Sequence, residues 1–132
     1  MLFDALNHVA IICSDLHQSV DFYTKILGFQ EFHRIERPER ESTIIYLDAG
    51  SCIIELFSFP NPPERLSYPE ARGLRHIAFS VRDFDQVLTE LEAQSIDHTP
   101  IQIDARTSQR MTFIFDPDKL PIEICEVTIP SE

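Results

Sequence analysis

Short apolar runs recur along the chain, and a helical pattern follows the first of them. The run His8–Cys13 predicts a strand, and apolar residues spaced three or four apart after it predict an amphipathic helix. Ser14 or Asp15 is the expected N-cap of that helix, and Gly28 is its expected C-cap. Three more runs predict strands, near residues 31–35, at 42–48 and at 51–59. The first half therefore reads β-α-β-β-β.

The second half has the same pattern. Residues 76–81 predict a strand, and Asp83 is the expected cap of a helix whose apolar face carries Phe84 and Leu91. A weak strand and two clear ones are expected after it, near 99–103, at 110–116 and at 120–127. Between the halves lies the segment 60–73, which is rich in Pro and ends in Gly, so it is predicted to be a linker.

Shifting the sequence along itself until His8 falls on His76 superimposes the two halves. Glu55 then falls on Glu123, so the spacing from histidine to glutamate is the same in both halves. Hydrophobic positions follow the same offset. We interpret the chain as two copies of one supersecondary unit.

The alternation of side chains along a strand places each histidine on the more polar face. His8 shares a face with Ala10 and Ile12, while the other face of that strand is wholly apolar. Glu55 and Glu123 lie inside apolar strands, where a carboxylate is costly unless a cation meets it. Two histidines and two glutamates placed equivalently by a repeat favour one divalent metal ion bound by both copies.

Charge and composition narrow the choice of partners. The chain has 132 residues, of which 43% are hydrophobic, and 11 Lys and Arg against 22 Asp and Glu give a net charge of −11. This charge argues against nucleic acid and anionic membranes as partners, and no apolar run is long enough to span a bilayer. No signal peptide is expected, and the three cysteines, Cys13, Cys52 and Cys125, are predicted to be reduced and buried. These features indicate a cytoplasmic protein.

The two halves together resemble the vicinal-oxygen-chelate superfamily, which includes glyoxalase I, fosfomycin-resistance proteins, extradiol dioxygenases and bleomycin-binding proteins. The segments that carry the resemblance are NHVAIICSDLHQSVDFYTKILGF, CIIELFSF, RHIAFSVRDFDQV and FDPDKLPIEICEV. The resemblance implies an α+β fold of two tandem βαβββ modules that form a cup-shaped mixed sheet with helices outside. It also implies a homodimer. Residues 1–132 would form one domain, with module one at about 5–59, a linker at about 60–73 and module two at about 74–128.

The resemblance also implies a site. The four metal positions of glyoxalase I fall on His8, Glu55, His76 and Glu123. Ligand type leaves Zn, Ni, Co, Mn and Fe open as the divalent ion. The implied activity is that of a glyoxalase-like lyase or isomerase acting on a small vicinal-oxygen substrate through a metal-bound enediolate. Glu55 or Glu123 would be the base, and the other carboxylate would return the proton. Whether the two pairs meet within one chain or across a dimer stays open.

Two positions depart from the family pattern. Glyoxalase I usually has an arginine at the position of Ile12 and an asparagine near residues 57–59, and both hold glutathione. A glutathione substrate is therefore not expected. Two alternatives to the lyase remain: a protein that sequesters a drug or metabolite, and a metal-dependent epimerase. Four arginines are candidates to hold an anionic substrate group or, alternatively, are surface charges: Arg65, Arg72, Arg75 and Arg110.

Overall fold

A computed structural model describes residues 1–128, and they form two compact units that divide between Glu64 and Arg65. The end of the predicted domain, at 129–132, lies outside the described residues. Each unit contains one four-stranded mixed sheet and one short α-helix. The two sheets have the same strand order: the first strand of the unit pairs with the fourth, the fourth with the third, and the third with the second. This identity confirms the repeat that the sequence offset predicts, and it confirms the α+β class with mixed sheets.

The first unit begins with strand β1 and helix α1, which continues directly into a π-helical turn at Phe22–Ile26. Strand β1 is parallel to β4, while β2, β3 and β4 are antiparallel neighbours. A 3₁₀ turn at Pro38–Arg40 joins β2 to β3. The bounds are β1 His8–Cys13, α1 Leu16–Asp21, β2 Gln30–Arg37, β3 Ser42–Asp48 and β4 Ile53–Ser58.

The second unit repeats this order with a longer helix and a shorter second strand. Strand β5 is parallel to β8, and β6, β7 and β8 are antiparallel neighbours. The bounds are β5 Ile77–Val81, α2 Phe84–Ala93, β6 Gln102–Ile103, β7 Arg110–Phe115 and β8 Pro121–Glu126. No helix among residues 1–128 is long and apolar enough to cross a membrane.

An aspartate caps the N-terminus of both helices: Asp15, one of the two residues that the sequence offers for the first, and Asp83, as predicted for the second. The Asp15 side chain accepts a hydrogen bond from the backbone N–H of Gln18 at 3.1 Å. The Asp83 side chain accepts the equivalent bond from Gln86 at 3.0 Å. Each cap satisfies a backbone donor that would otherwise have no partner in the first helical turn. Gly28 follows the first helical segment with a positive φ of 81°, a conformation that favours glycine.

The core of each unit lies on one face of its sheet. In the first unit, helix α1 packs on β4, and Ile54 and Leu56 of that strand are fully buried. In the second unit, Ile122 and Ile124 of β8 are buried on the corresponding face. The opposite face is more open: Ala10 and Ile12 of β1 are exposed, and so are Ala78 and Ser80 of β5. The predicted alternation is therefore correct, and each histidine belongs to the open face.

Three details differ from the sequence predictions. The weak strand expected at 99–103 is ordered as a strand only at Gln102–Ile103, because Pro100 has no N–H for a ladder. The Thr99 hydroxyl instead accepts the backbone N–H of Phe113 at 2.9 Å. The first helix changes to π geometry where the Thr24 hydroxyl donates to the carbonyl of Val20 at 2.6 Å.

The third difference concerns the cysteines. All three are free, as predicted, but only Cys13 is buried, while Cys52 and Cys125 are partly exposed. Cys52 lies in the turn before β4, and Cys125 lies next but one after Glu123 in β8. Cys125 is therefore on the open face of its sheet, together with Glu123. The prediction that all three thiols are buried was wrong for these two.

Candidate metal centre

His8 and Glu55 meet on the open face of the first sheet. The two neighbouring parallel strands place Ala10 beside Glu55, and His8 precedes Ala10 on the same face of β1. His8 Nε2 is 3.0 Å from Glu55 Oε2. The glutamate side chain is 12% exposed and the histidine side chain 43% exposed, so the carboxylate lies deep while the imidazole borders solvent. A carboxylate at that depth requires a polar or cationic partner, and His8 supplies it.

His76 and Glu123 form the same pair in the second unit. Ala78 pairs with Glu123 across β5 and β8, which repeats the register of Ala10 and Glu55. His76 Nε2 is 2.9 Å from Glu123 Oε2, and the Glu123 side chain is again 12% exposed. His76 is less exposed than His8, at 28%, because its ring packs edge-on against Phe113 with 5.3 Å between centroids. Phe113 is also the β7 neighbour of Glu123, so this carboxylate lies between an alanine on one side and an aromatic ring on the other.

The hydrogen bonds of His8 suit a metal ligand. Its Nδ1 is 2.8 Å from the side-chain oxygen of Asn7, and its Nε2 faces the Glu55 carboxylate. A neutral imidazole carries only one N–H, so it satisfies both oxygens only when it is protonated or when a cation replaces the proton on Nε2. In metal-binding histidines, the ring nitrogen that does not bind the metal usually has a hydrogen-bond partner of its own, as Nδ1 of His8 has in Asn7.

The donor set and its spacing fit a divalent ion. Two ligand atoms bound at about 2.1 Å and at right angles lie about 3.0 Å apart, whereas tetrahedral ligands lie about 3.4 Å apart. The observed separations of 3.0 Å and 2.9 Å are those of direct hydrogen bonds, and they also equal the spacing of adjacent octahedral ligands, so each pair could bind an ion with little movement. Among residues 1–128, no three His, Cys, Asp or Glu side chains converge in one place. The structure therefore brings the predicted ligands together as two pairs, His8 with Glu55 and His76 with Glu123.

Cys125 lies on the same face as Glu123 but is not suited to nucleophilic chemistry. Burial, and then the nearby Glu123 carboxylate, raise the pKa of the Cys125 thiol to about 11. The thiol therefore stays protonated at neutral pH, and only the thiolate is an effective nucleophile. This excludes Cys125 and leaves the carboxylates and imidazoles of the two His–Glu pairs as candidates to take up a proton on these faces.

Three of the four candidate arginines make contacts within the chain, while Arg72 is exposed. Arg65 donates to the backbone carbonyls of Leu74 and Arg75. Arg75 pairs with Glu70 at 3.1 Å, and this carboxylate raises the pKa of the Arg75 guanidinium. Arg110 bridges two carboxylates, Asp85 at 2.8 Å and Glu126 at 2.9 Å. The side chains of Arg65, Arg75 and Arg110 thus hold loops and strands in place.

Sequence reasoning missed a different arginine. Arg37 falls in a charged stretch that predicts only a solvated turn, but the structure places it at the end of β2. Its guanidinium lies over two stacked rings, with Cζ 5.3 Å from the Phe57 centroid and 5.8 Å from that of Phe59. Phe57 is next but one to Glu55 on the same strand, so it shares the face of the predicted metal ligands.

Comparison with known proteins identifies the family of the fold. Residues 5–124 match the model of the glyoxalase/bleomycin resistance protein/dioxygenase superfamily. The uncharacterized protein YwkD of Bacillus subtilis is 50% identical over 96% of this chain and 99% of its own. The lactoylglutathione lyase of Escherichia coli O157:H7 is 27% identical over 92% of this chain and 91% of its own.

Solved structures give the same result. The glyoxalase family protein from Enterococcus faecalis superimposes with a TM-score of 0.88 and 41% identity, over 96% of this chain and 100% of that one. The family model, the relatives and the repeated sheets thus agree along nearly the whole sequence. The chain belongs to the glyoxalase/bleomycin resistance protein/dioxygenase superfamily.

Proposed function

We propose that the protein is a metal-dependent lyase or isomerase of the glyoxalase type, which acts on a small substrate with two neighbouring oxygen atoms. The observation that carries the proposal is the pair of equivalent His–Glu contacts, at 3.0 Å and 2.9 Å, one on each open sheet face. His8, Glu55, His76 and Glu123 would hold one divalent ion. A bound ion acts as a Lewis acid that stabilises negative charge on the substrate oxygens.

The glutamates would carry the proton transfer. One carboxylate would remove the proton from the hydroxyl-bearing carbon next to the carbonyl, and the other carboxylate would deliver a proton to the former carbonyl carbon. Both side chains are only 12% exposed, so water competes poorly for the transferred proton. Ile12 occupies the position at which glyoxalase I usually carries a glutathione-binding arginine, and its exposed side chain offers no hydrogen bond. The proposed substrate is therefore a small molecule without glutathione.

A deuterium-exchange experiment tests the proton transfer. The metal-loaded protein is incubated in D₂O with hydroxyacetone, dihydroxyacetone or glyceraldehyde, and loss of the C–H signal is followed by NMR. Glu55→Gln and Glu123→Gln should each slow turnover by roughly 10²–10⁴-fold, because an amide does not accept the proton. The variant that also loses exchange identifies the base. Glu39→Gln is the matched control, because Glu39 lies exposed in the 3₁₀ turn.

The same experiment separates catalysis from sequestration. A sequestering protein would bind these compounds, or their relatives, without exchanging the C–H proton, and the glutamine variants would then behave like the native protein. Metal-dependent exchange that requires one glutamate, with turnover that requires both, would support the lyase or isomerase. Absence of exchange with every compound, in protein that retains its metal, would contradict the proposal.

We further propose that the protein works as a homodimer, and a mixing experiment tests where the two pairs meet. His8→Ala disables the pair of the first unit, and His76→Ala disables that of the second. If the site forms across two chains, a mixed dimer of these variants regains one complete site, because the intact first unit of one chain meets the intact second unit of the other. If the site forms within a chain, the mixed dimer regains none. A light-scattering mass of one chain would refute the dimer.

A further inference from the structure

Arg37 is held at the site face without a carboxylate partner. Its Nη2 donates to the Ser42 hydroxyl at 2.9 Å, and its Nε is buried with no hydrogen-bond partner. Among residues 1–128, no Asp or Glu pairs with it, although the chain has twice as many acidic as basic residues. By contrast, Arg34 of the same strand pairs with Glu31 at 3.0 Å. A buried donor without a partner is costly, which favours a function for this arrangement.

The surroundings of Arg37 fix its guanidinium in place. Phe57 and Phe59 stack with their ring planes 9° apart and their centroids 5.8 Å apart, and the guanidinium lies over both. Aromatic rings attract a cation without using its N–H groups. Ser42 uses only one of the five donors. Nε is buried, so an anion would be bound by Nη1 and the second hydrogen of Nη2, which form one edge of a rigid planar group that binds carboxylates and phosphates bidentately.

The position of Arg37 relates it to the candidate metal centre. Phe57 pairs with Ile44 and Glu55 pairs with Tyr46 across β3 and β4, so Phe57 and Glu55 are on one face. Their Cα atoms are about 6.6 Å apart, because each strand residue advances about 3.3 Å. An anion bound at Arg37 would thus lie on the same sheet face as Glu55, beside the ring of Phe57.

We propose that Arg37 binds an oxyanion of the substrate, a carboxylate or a phosphate, and so determines substrate specificity. This inference rests on the proposed function, because it assigns the anionic end of the molecule whose vicinal oxygens bind the metal. The substrate class is a small hydroxy- or oxo-compound with one terminal oxyanion.

Hydroxamates provide the first test, because their two neighbouring oxygens chelate metals. Acetohydroxamate has no anionic tail, whereas succinic monohydroxamate carries a carboxylate and phosphonoacetohydroxamate a phosphonate. Calorimetry on the metal-loaded protein should show that a tailed compound binds roughly tenfold or more tightly than acetohydroxamate. Arg37→Met should remove this gain and leave acetohydroxamate binding unchanged. Arg34→Met is the matched control, because it removes the same charge from the same strand.

A second measurement works without the metal. Succinate and inorganic phosphate are titrated into metal-free protein while the arginine Nε–H signals are followed by NMR. The Arg37 signal, identified by its loss in Arg37→Met, should shift, and that of Arg34 should not. Arg37→Lys keeps the charge without the fork, so it should retain part of the gain if Arg37→Met proves unstable.

The outcomes separate this inference from the proposed function. If acetohydroxamate binds but the tails give no gain and neither anion moves the Arg37 signal, Arg37 is not an anion site, and the metal centre stands. If no hydroxamate binds but an anion shifts Arg37, the anion site stands and the proposed metal chemistry fails. A gain with only one tail identifies the oxyanion as carboxylate or phosphate.

Discussion

Replacing each histidine tests whether it binds the metal or only stabilises the fold. His8→Ala and His76→Ala remove equivalent proposed ligands, so both should weaken metal binding to a similar extent. Their effects on the metal-free protein should differ. Both changes leave a glutamate without its partner, and the two glutamates are equally exposed, so this loss of stability should be the same in both variants. Only His76 packs edge-on against an aromatic ring, Phe113, at 5.3 Å.

The size of the difference follows from that contact. An edge-on aromatic pair contributes about 0.5–1.5 kcal/mol beyond the area that it buries. The lower exposure of His76, 28% against 43%, acts in the same direction. Without metal, His76→Ala should therefore unfold with a free energy about 1 kcal/mol smaller than that of His8→Ala. For a chain of this length, this corresponds to a Tm lower by about 3–6 °C.

Calorimetry with and without metal measures both quantities. The native protein should melt higher with metal than without it, because a ligand that binds only the folded state stabilises that state. Both variants should lose most of this increase. If His8→Ala and His76→Ala both retained the native metal affinity and lowered the Tm equally with and without metal, the histidines would be structural, and the metal centre would be refuted.

Three further predictions concern the pH, the helix caps and glutathione. Hydrogen bonds from Arg110 lower the pKa of Glu126 from 4.5 to about 2, so this pair stabilises the fold fully above pH 4.5 and progressively less as the pH falls to about 2. Unfolding followed by circular dichroism should therefore show that Glu126→Gln is less stable than the native protein at pH 7 and equally stable near pH 2. Asp15→Ala and Asp83→Ala should each lower the free energy of unfolding, measured in urea, by about 1 kcal/mol, while Asp15→Asn and Asp83→Asn should change it little. With the glutathione hemithioacetal of methylglyoxal, kcat/KM should fall below the roughly 10⁴–10⁸ M⁻¹s⁻¹ usual for enzymes on their own substrates; a value inside that range would show that exposed Ile12 does not exclude glutathione.

The sequence predicted those features that local patterns or the repeat determine. Alternation along β1 and β5 assigned His8 and His76 to the open faces, and the caps at Asp15 and Asp83 follow from residue preference alone. The extent of β6 was not predictable from alternation, because Pro100 interrupts the ladder and the Thr99 hydroxyl accepts the N–H of Phe113 in place of a backbone carbonyl. A side chain that competes with the backbone ladder leaves no periodic signal in the sequence.

Arg37 was missed for a different reason. Its environment is built by Ser42 across a hairpin and by Phe57 and Phe59, which come much later in the chain, on and just after β4. In the sequence, its neighbours are Glu36 and Pro38, which predict a solvated turn. Only the pairing of β2 with β3 and of β3 with β4 places the guanidinium over the rings. Such a site becomes visible when strand register is known.

The repeat gives a reason why the proposed metal centre is symmetric while the proposed anion site is not. The offset that carries His8 onto His76 and Glu55 onto Glu123 carries Arg37 onto Ala105. The proposed metal ion would take equivalent ligands from both units, so matched pairs would suit it. A substrate with a single oxyanion has two different ends, and it needs a binding group in one unit only. The unmatched arginine would therefore fix the direction in which the substrate lies, and with it which glutamate faces the proton to be removed.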